Sequence, residues 1–180
     1  MKSPAEPSQG RRQASLRFIV ICGMLVAVAA VFSYMEVLFP LSLAIPGVKL
    51  GLVNIVVVFA LYLLGLRAAI LISLLRIVLV SSLFGNLMMA LYSIAGALVS
   101  LLVMAGLKHS KLFSVTGVSM AGGAFHNIAQ LSVAAFASGT VAVFSYMPVL
   151  IVVGMFTGIL IGIVTDIILQ RLAPLVRGRL

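Results

Sequence analysis

Side chains able to do chemistry are scarce in this chain, and Arg76 is the first of them, because apolar sequence surrounds it on both sides. It follows Arg67 by nine residues, a rise of about 13 Å along a helix, too deep to snorkel easily to either surface. A charge at that depth is costly and normally faces a cavity or a partner. Two readings follow: a ligand or transport site, or a structural lock to Asp166 or to helix-end carbonyls. Further on, His126 and Gln130 stand four residues apart and share one helical face, with Asn127 beside them. The preceding Gly122-Gly123 allows another helix or a ligand to approach closely. This trio reads either as an interhelical hydrogen-bond cluster or as the polar wall of a binding cavity. Near the other surface lie Glu36, Lys49, Asn54 and Asn86, with Pro40 and Pro46-Gly47 shaping the intervening loop. Lys49 suits interfacial snorkelling as well as a ligand role. A cavity shared by Lys49 and Arg76 has a positive bias and fits an anionic or strongly polar ligand, with Glu36 pairing to Lys49 in the empty state. The full set expected to line one cavity is Lys49, Asn54, Arg76, Asn86, His126, Asn127 and Gln130.

Several chemistries are excluded by what is missing. No G-x-x-x-x-G-K-[ST] run occurs, so the chain does not bind and hydrolyse ATP through a P-loop. Asp166 is the sole aspartate, which rules out a paired aspartate cluster for Mg²⁺-diphosphate chemistry. The two histidines, His109 and His126, are far apart, and one cysteine, Cys22, makes neither an internal disulfide nor a cysteine metal site. No catalytic residues, metal or cofactor are expected.

The elements that must position these residues are set by composition. The chain has 180 residues, 63% of them hydrophobic and only 8% charged, with a mean hydropathy of +1.32. Soluble domains are near half apolar and a quarter charged, so the natural solvent is lipid. Apolar runs place spans at residues 17–38, 49–66, 67–84, 87–107, 114–138 and 146–170, each near the length needed to cross a bilayer. The expected fold is an all-α membrane protein, a six-transmembrane-helix bundle over residues 17–180, preceded by a polar basic tail over residues 1–16. That tail and the run after it have the outline of a signal peptide, yet the run continues to Met35 and is better read as a retained span.

Net charge is +9, and of the twelve Lys and Arg all but Arg76 stand near helix ends rather than on a basic face, which argues for topology and against nucleic acid. With the N-terminus inside, Lys2, Arg11, Arg12, Arg17, Arg67, Lys108, Lys111, Arg171, Arg177 and Arg179 all fall on the inner side, and only Lys49 on the outer. Short loops rich in Lys and Arg stay in the cytoplasm; both termini are therefore expected there, in a bacterial inner membrane. Gly154, Gly158 and Gly162 recur every fourth residue in the last span, continued by Asp166 and Gln170, a stripe that permits close helix packing. Gly23, Ala27 and Ala30 offer a looser small face on the first. Val31-Phe-Ser-Tyr-Met-Glu-Val-Leu38 is echoed at Val143-Phe-Ser-Tyr-Met-Pro-Val-Leu150, where Tyr34 and Tyr146 suit interfacial anchors.

Taken together, Pro46-Gly-Val-Lys49-Leu-Gly-Leu-Val-Asn54, the intramembrane Arg76, and Gly117-Val-Ser119 through His126-Asn-Ile-Ala-Gln130 resemble the Gx transporter family, also labelled heptaprenyl diphosphate synthase component I. The resemblance runs from about Arg17 onward. It implies kinship with the substrate-binding S components of energy-coupling-factor importers, six-helix proteins that capture a vitamin or precursor from outside. Their implied partners are a T-type transmembrane subunit, met through small-residue faces such as that of Gly23, Ala27 and Ala30, and two cytoplasmic ATPases. The ligand expected on this basis is a small polar or anionic vitamin-like or isoprenoid- or quinone-related precursor. Two alternatives stay open: a non-catalytic membrane accessory to heptaprenyl diphosphate or quinone synthesis, and a structural subunit of a redox or flavin complex.

Overall fold

Lipid offers no partner to a backbone amide, so apolar runs of this kind satisfy their N–H and C=O groups within helices. The structure is a computed structural model and describes residues 9–38 and 51–177. Six α-helices follow in order, α1 (Gln9–Leu38), α2 (Leu52–Leu63), α3 (Leu66–Phe84), α4 (Leu87–Ser110), α5 (Val115–Ser138) and α6 (Met147–Arg177), and a 3₁₀ helix, Val141–Tyr146, joins the last two. No strand occurs among the described residues. Lys49, Pro40 and Pro46-Gly47 lie outside them.

Three helices differ most from the spans read off hydropathy. The first helix begins at Gln9 rather than Arg17, running into the polar tail, where Arg, Gln, Ala and Leu all favour helix. The last continues to Arg177, with Pro174 inside it. The second is much shorter than the span expected over residues 49–66: it holds 12 residues, about 18 Å of helix against the roughly 30 Å of a hydrocarbon core. Two glycines cut it. Gly51 precedes it at φ 73° and Gly65 follows at φ 91°, a region that L side chains rarely adopt.

By length and apolarity, four stretches among the described residues qualify to cross a membrane: Ser15–Glu36, Leu66–Phe84, Leu87–Ser110 and Val141–Val176. Helix α5 has the length, with 24 residues, but His126, Asn127, Gln130 and its glycines dilute its hydropathy. The count of six self-evident spans is thus reduced to four long apolar helices, one polar one and one short one.

The helices close into a ring in the order α1, α3, α4, α5, α6, α2, with α2 also packed on α3. Val53 and every residue from Val56 to Leu61 are buried, and a helix apolar all round belongs inside a bundle. The surface is as apolar as the core. Ile19, Val20, Met24, Val28 and Val31 on α1, and Val152, Phe156, Leu160 and Ile167 on α6, are all exposed, which suits lipid contact and would be a severe aggregation liability in water.

The tightest seam joins α5 to α6. A Cβ added to Gly123 would lie 2.1 Å from the Gly154 carbonyl oxygen, one on Gly158 2.6 Å from the Ser119 carbonyl oxygen, and one on Gly162 2.5 Å from Thr116 Cα. Gly154, Gly158 and Gly162 therefore pack backbone to backbone against α5 of the same chain. By contrast, Gly23 has open space around it, and Ala27 beside it is exposed, with Ala30 partly buried.

The two ends of the ring differ. Arg12, Arg17, Arg67, Lys108, Lys111, Arg171 and Arg177 share one end, and among the described residues no Lys or Arg stands at the other. At the basic end Lys108 Nζ donates to the Leu61 carbonyl at 2.7 Å and lies 5.0 Å from the centre of the Tyr62 ring. A cation there complements the carbonyl end of α2. At the opposite end the Tyr34 and Phe84 rings approach to 4.7 Å, pinning α1 to α3.

Candidate functional site

Arg76 sits mid-helix on α3 and turns inward, toward α1. It is 8% exposed. Its Nη1 donates to Ser33 Oγ at 3.4 Å, a long bond, while Ser33 Oγ itself donates to the Ala29 carbonyl at 2.9 Å. A guanidinium carries five N–H donors in a rigid fork, and here the Nε–H has no hydrogen-bond partner. One turn earlier on the same face, Ser73 is buried as well and its Oγ is likewise unpartnered. A buried polar group left unmatched costs about 1–3 kcal/mol, and a charged one more, so the bundle maintains an unfavourable arrangement around one cation.

Glu36 completes this neighbourhood. It stands near the C-terminal end of α1, and its Oε1 accepts the backbone N–H of Leu52, the first residue of α2. It lies one helical turn beyond Ser33, yet no ion pair joins it to Arg76: among the described residues the bond to Ser33 is the one hydrogen bond that Arg76 makes. The lock between Arg76 and Asp166 is absent. Asp166 accepts from Gln170 Nε2 of its own helix at 3.2 Å. Its position on α6 lies one turn past Gly162, which packs on Thr116 in the first turn of α5, and this places it toward the basic end, away from Ser33.

The remaining candidates are dispersed. His126 and Asn127, being neighbours on a helix, point about 100° apart. The His126 ring fits over Gly96 of α4, where an added Cβ would come within 2.7 Å of its Cε1. Asn127 reaches the other way, and its Nδ2 donates to the Leu150 carbonyl of α6 at 2.7 Å. Gln130 is partly buried on α5. Asn86 is exposed and caps α4, its Oδ1 accepting from the Met89 amide at 2.8 Å, the usual work of an N-cap asparagine. Asn54 lies in the first turn of α2, its Nδ2 3.0 Å from where a Gly51 Cβ would be. The structure thus brings Arg76 together with Ser33, Ser73 and Glu36 around α1, α2 and α3. It places His126 at the α4–α5 contact and Asn127 at the α5–α6 contact, with α4 between Arg76 and His126 in the ring order.

Sequence reasoning missed Ser33 and Ser73. Ser73 was within reach of it, because it precedes Arg76 by three residues, the spacing of helical neighbours. Ser33 was hidden by the echo: Ser33 is buried in α1, whereas Ser145, its counterpart, is exposed in the 3₁₀ helix and donates to the Ala142 carbonyl at 2.7 Å. The two copies have different structures.

Long apolar helices, a lipid-compatible surface and a buried arginine define an integral membrane protein with a charge enclosed in its apolar interior. Its family follows from the match over residues 25–168: the chain belongs to the family described as heptaprenyl diphosphate synthase component I. No curated protein and no solved structure matches it.

Proposed function

We propose that this protein is a non-catalytic, ligand-binding membrane subunit of an energy-coupling-factor-type importer, which captures a small anionic ligand at Arg76. The observation that carries this reading is the buried guanidinium with its Nε–H unpartnered. A carboxylate or phosphate is the group that a guanidinium fork matches with two parallel hydrogen bonds, and Ser73 Oγ, also unpartnered, adds a third donor nearby. The chain carries no P-loop, so in this reading energy comes from partner ATPases through a T-type transmembrane subunit. The test is uptake: in cells that express it, accumulation of the ligand identified by mass spectrometry of the purified protein should disappear when the coupling ATPases are deleted, while binding persists. Undiminished concentrative uptake by the isolated protein contradicts the proposal.

A second reading has its own observation, the family match. A protein of a heptaprenyl diphosphate synthase component family could serve as membrane accessory to that synthesis, with Arg76 meeting a phosphate group. Copurification separates the two: recovery with a soluble prenyltransferase favours the accessory, and recovery with a T-type subunit and paired ATPases favours the importer.

Both readings place all six helices in the bacterial cytoplasmic membrane with the basic end inside. In a Cys22→Ser background, a cysteine at Ser138, exposed at the non-basic end, should react with an impermeant thiol reagent outside intact cells, and one at Ser110 should not. The reverse pattern overturns the orientation.

A further inference from the structure

The N-terminus of α2 is a place where an anion is already held, by the protein's own side chain. The first amides of a helix have no intrahelical partner, and the cap residue here, Gly51, has no side chain to offer one. Glu36 reaches in from α1, sixteen residues earlier in sequence, and its carboxylate accepts the Leu52 N–H. Helix N-termini favour negative charge through both these amides and the aligned peptide dipoles. On the adjoining α3, Arg76 is 8% exposed and its Nε–H is unpartnered. So one carboxylate, a helical turn along α1 from the serine that Arg76 contacts, is bonded to a helix N-terminus while the guanidinium stays incompletely matched.

We propose that Glu36 is an internal placeholder for the ligand's anionic group, resting on the N-terminus of α2 while the site is empty and displaced when a carboxylate or phosphate binds Arg76. The proposal rests on the reading of Arg76 as the ligand anchor. Its physical basis is that two anions near one cation repel each other, so an anion arriving at Arg76 acts against the charge of Glu36. Binding then carries a structural consequence: the tie between the end of α1 and the start of α2 opens as the ligand enters. The shared chemistry of the ligand is a compact oxyanion, which either a free solute or a lipid headgroup can present.

The test compares the parent with E36Q, E36A and R76Q, full-length in nonionic detergent, titrated with inorganic phosphate and separately with dioctanoyl phosphatidic acid and followed by thermal unfolding. Gln keeps an oxygen able to accept the Leu52 amide, so E36Q should retain the parent's melting temperature and bind about tenfold tighter. E36A should also bind more tightly and melt earlier, having lost the acceptor at α2. A response to phosphate identifies a free solute as the source, and a response to phosphatidic acid alone identifies a headgroup; tightening in E36Q sustains the displacement in either case. Equal or weaker binding by both Glu36 variants overturns it, as does failure of parent and variants to bind either probe. R76Q keeps the two ideas apart. Lost binding in R76Q with unchanged binding in E36Q sinks the placeholder alone, whereas parent-like binding in R76Q sinks the anchor itself.

Discussion

Arg76→Gln should abolish retention of the bound ligand while leaving the protein folded. A bidentate, charge-assisted contact in a dry site contributes about 3 kcal/mol, so the affinity loss is on the order of a hundredfold. The effect on stability should be small or favourable. Arg76 has one long hydrogen bond and an unpartnered Nε–H in a buried setting, and replacing an incompletely matched buried charge by a neutral side chain is often neutral or stabilising. Lysine at this position restores charge without the fork and should rescue binding in part. Mass spectrometry of retained small molecules, read beside thermal unfolding, decides the matter. If R76Q retains the ligand as the parent does and melts markedly earlier, the arginine is a structural member joining α1 to α3 and the proposed function loses its centre.

The largest stability effects should come from the seam between α5 and α6. Gly123→Ala places a methyl group 2.1 Å from a backbone oxygen, and Gly158→Ala places one 2.6 Å from another. A backbone cannot swing aside as a side chain can, so the helices must separate along their length. Overpacking typically costs about 1–3 kcal/mol and occasionally more; each variant should reach or exceed the upper end, because separation also stretches the bond from Asn127 to the Leu150 carbonyl. Gly106→Ala is the matched control. It has open space around it and should be neutral or slightly stabilising through helix propensity. Thermal unfolding of the three variants in detergent checks the contrast, and equal melting temperatures would refute a seam set by these contacts.

Hydropathy reveals α3, α4 and α5 closely because their ends coincide with charges, caps or polar loops. It misses the shortness of α2, since Gly51 and Gly65 act through backbone conformation and leave the apolar run unbroken. Arg76 is legible by depth alone. Its surroundings are not, because a serine in an apolar helix ordinarily bonds its own preceding turn, and nothing local marks Ser73 as an exception. The polar trio on α5 shows the opposite limit. Helical period says that His126 and Asn127 diverge, but which neighbour each one meets depends on ring order, and ring order is a property of the whole chain. Asn86 was open to a simpler reading from the start, as an asparagine immediately before an apolar helix.

The contact between α2 and α6 has a consequence for how the protein is made. The second helix to leave the ribosome is the one most enclosed in the finished bundle, and one of its walls is the sixth. Until α6 is synthesised, the side of α2 that packs on it stays open, and a helix of 12 residues holds its place in the bilayer less securely than a full-length one. The early helices therefore wait in a half-closed arc. The α2–α6 contact that closes the ring is available only once the last helix has been made, so whatever shelters α2 during that interval would govern yield without touching the completed fold.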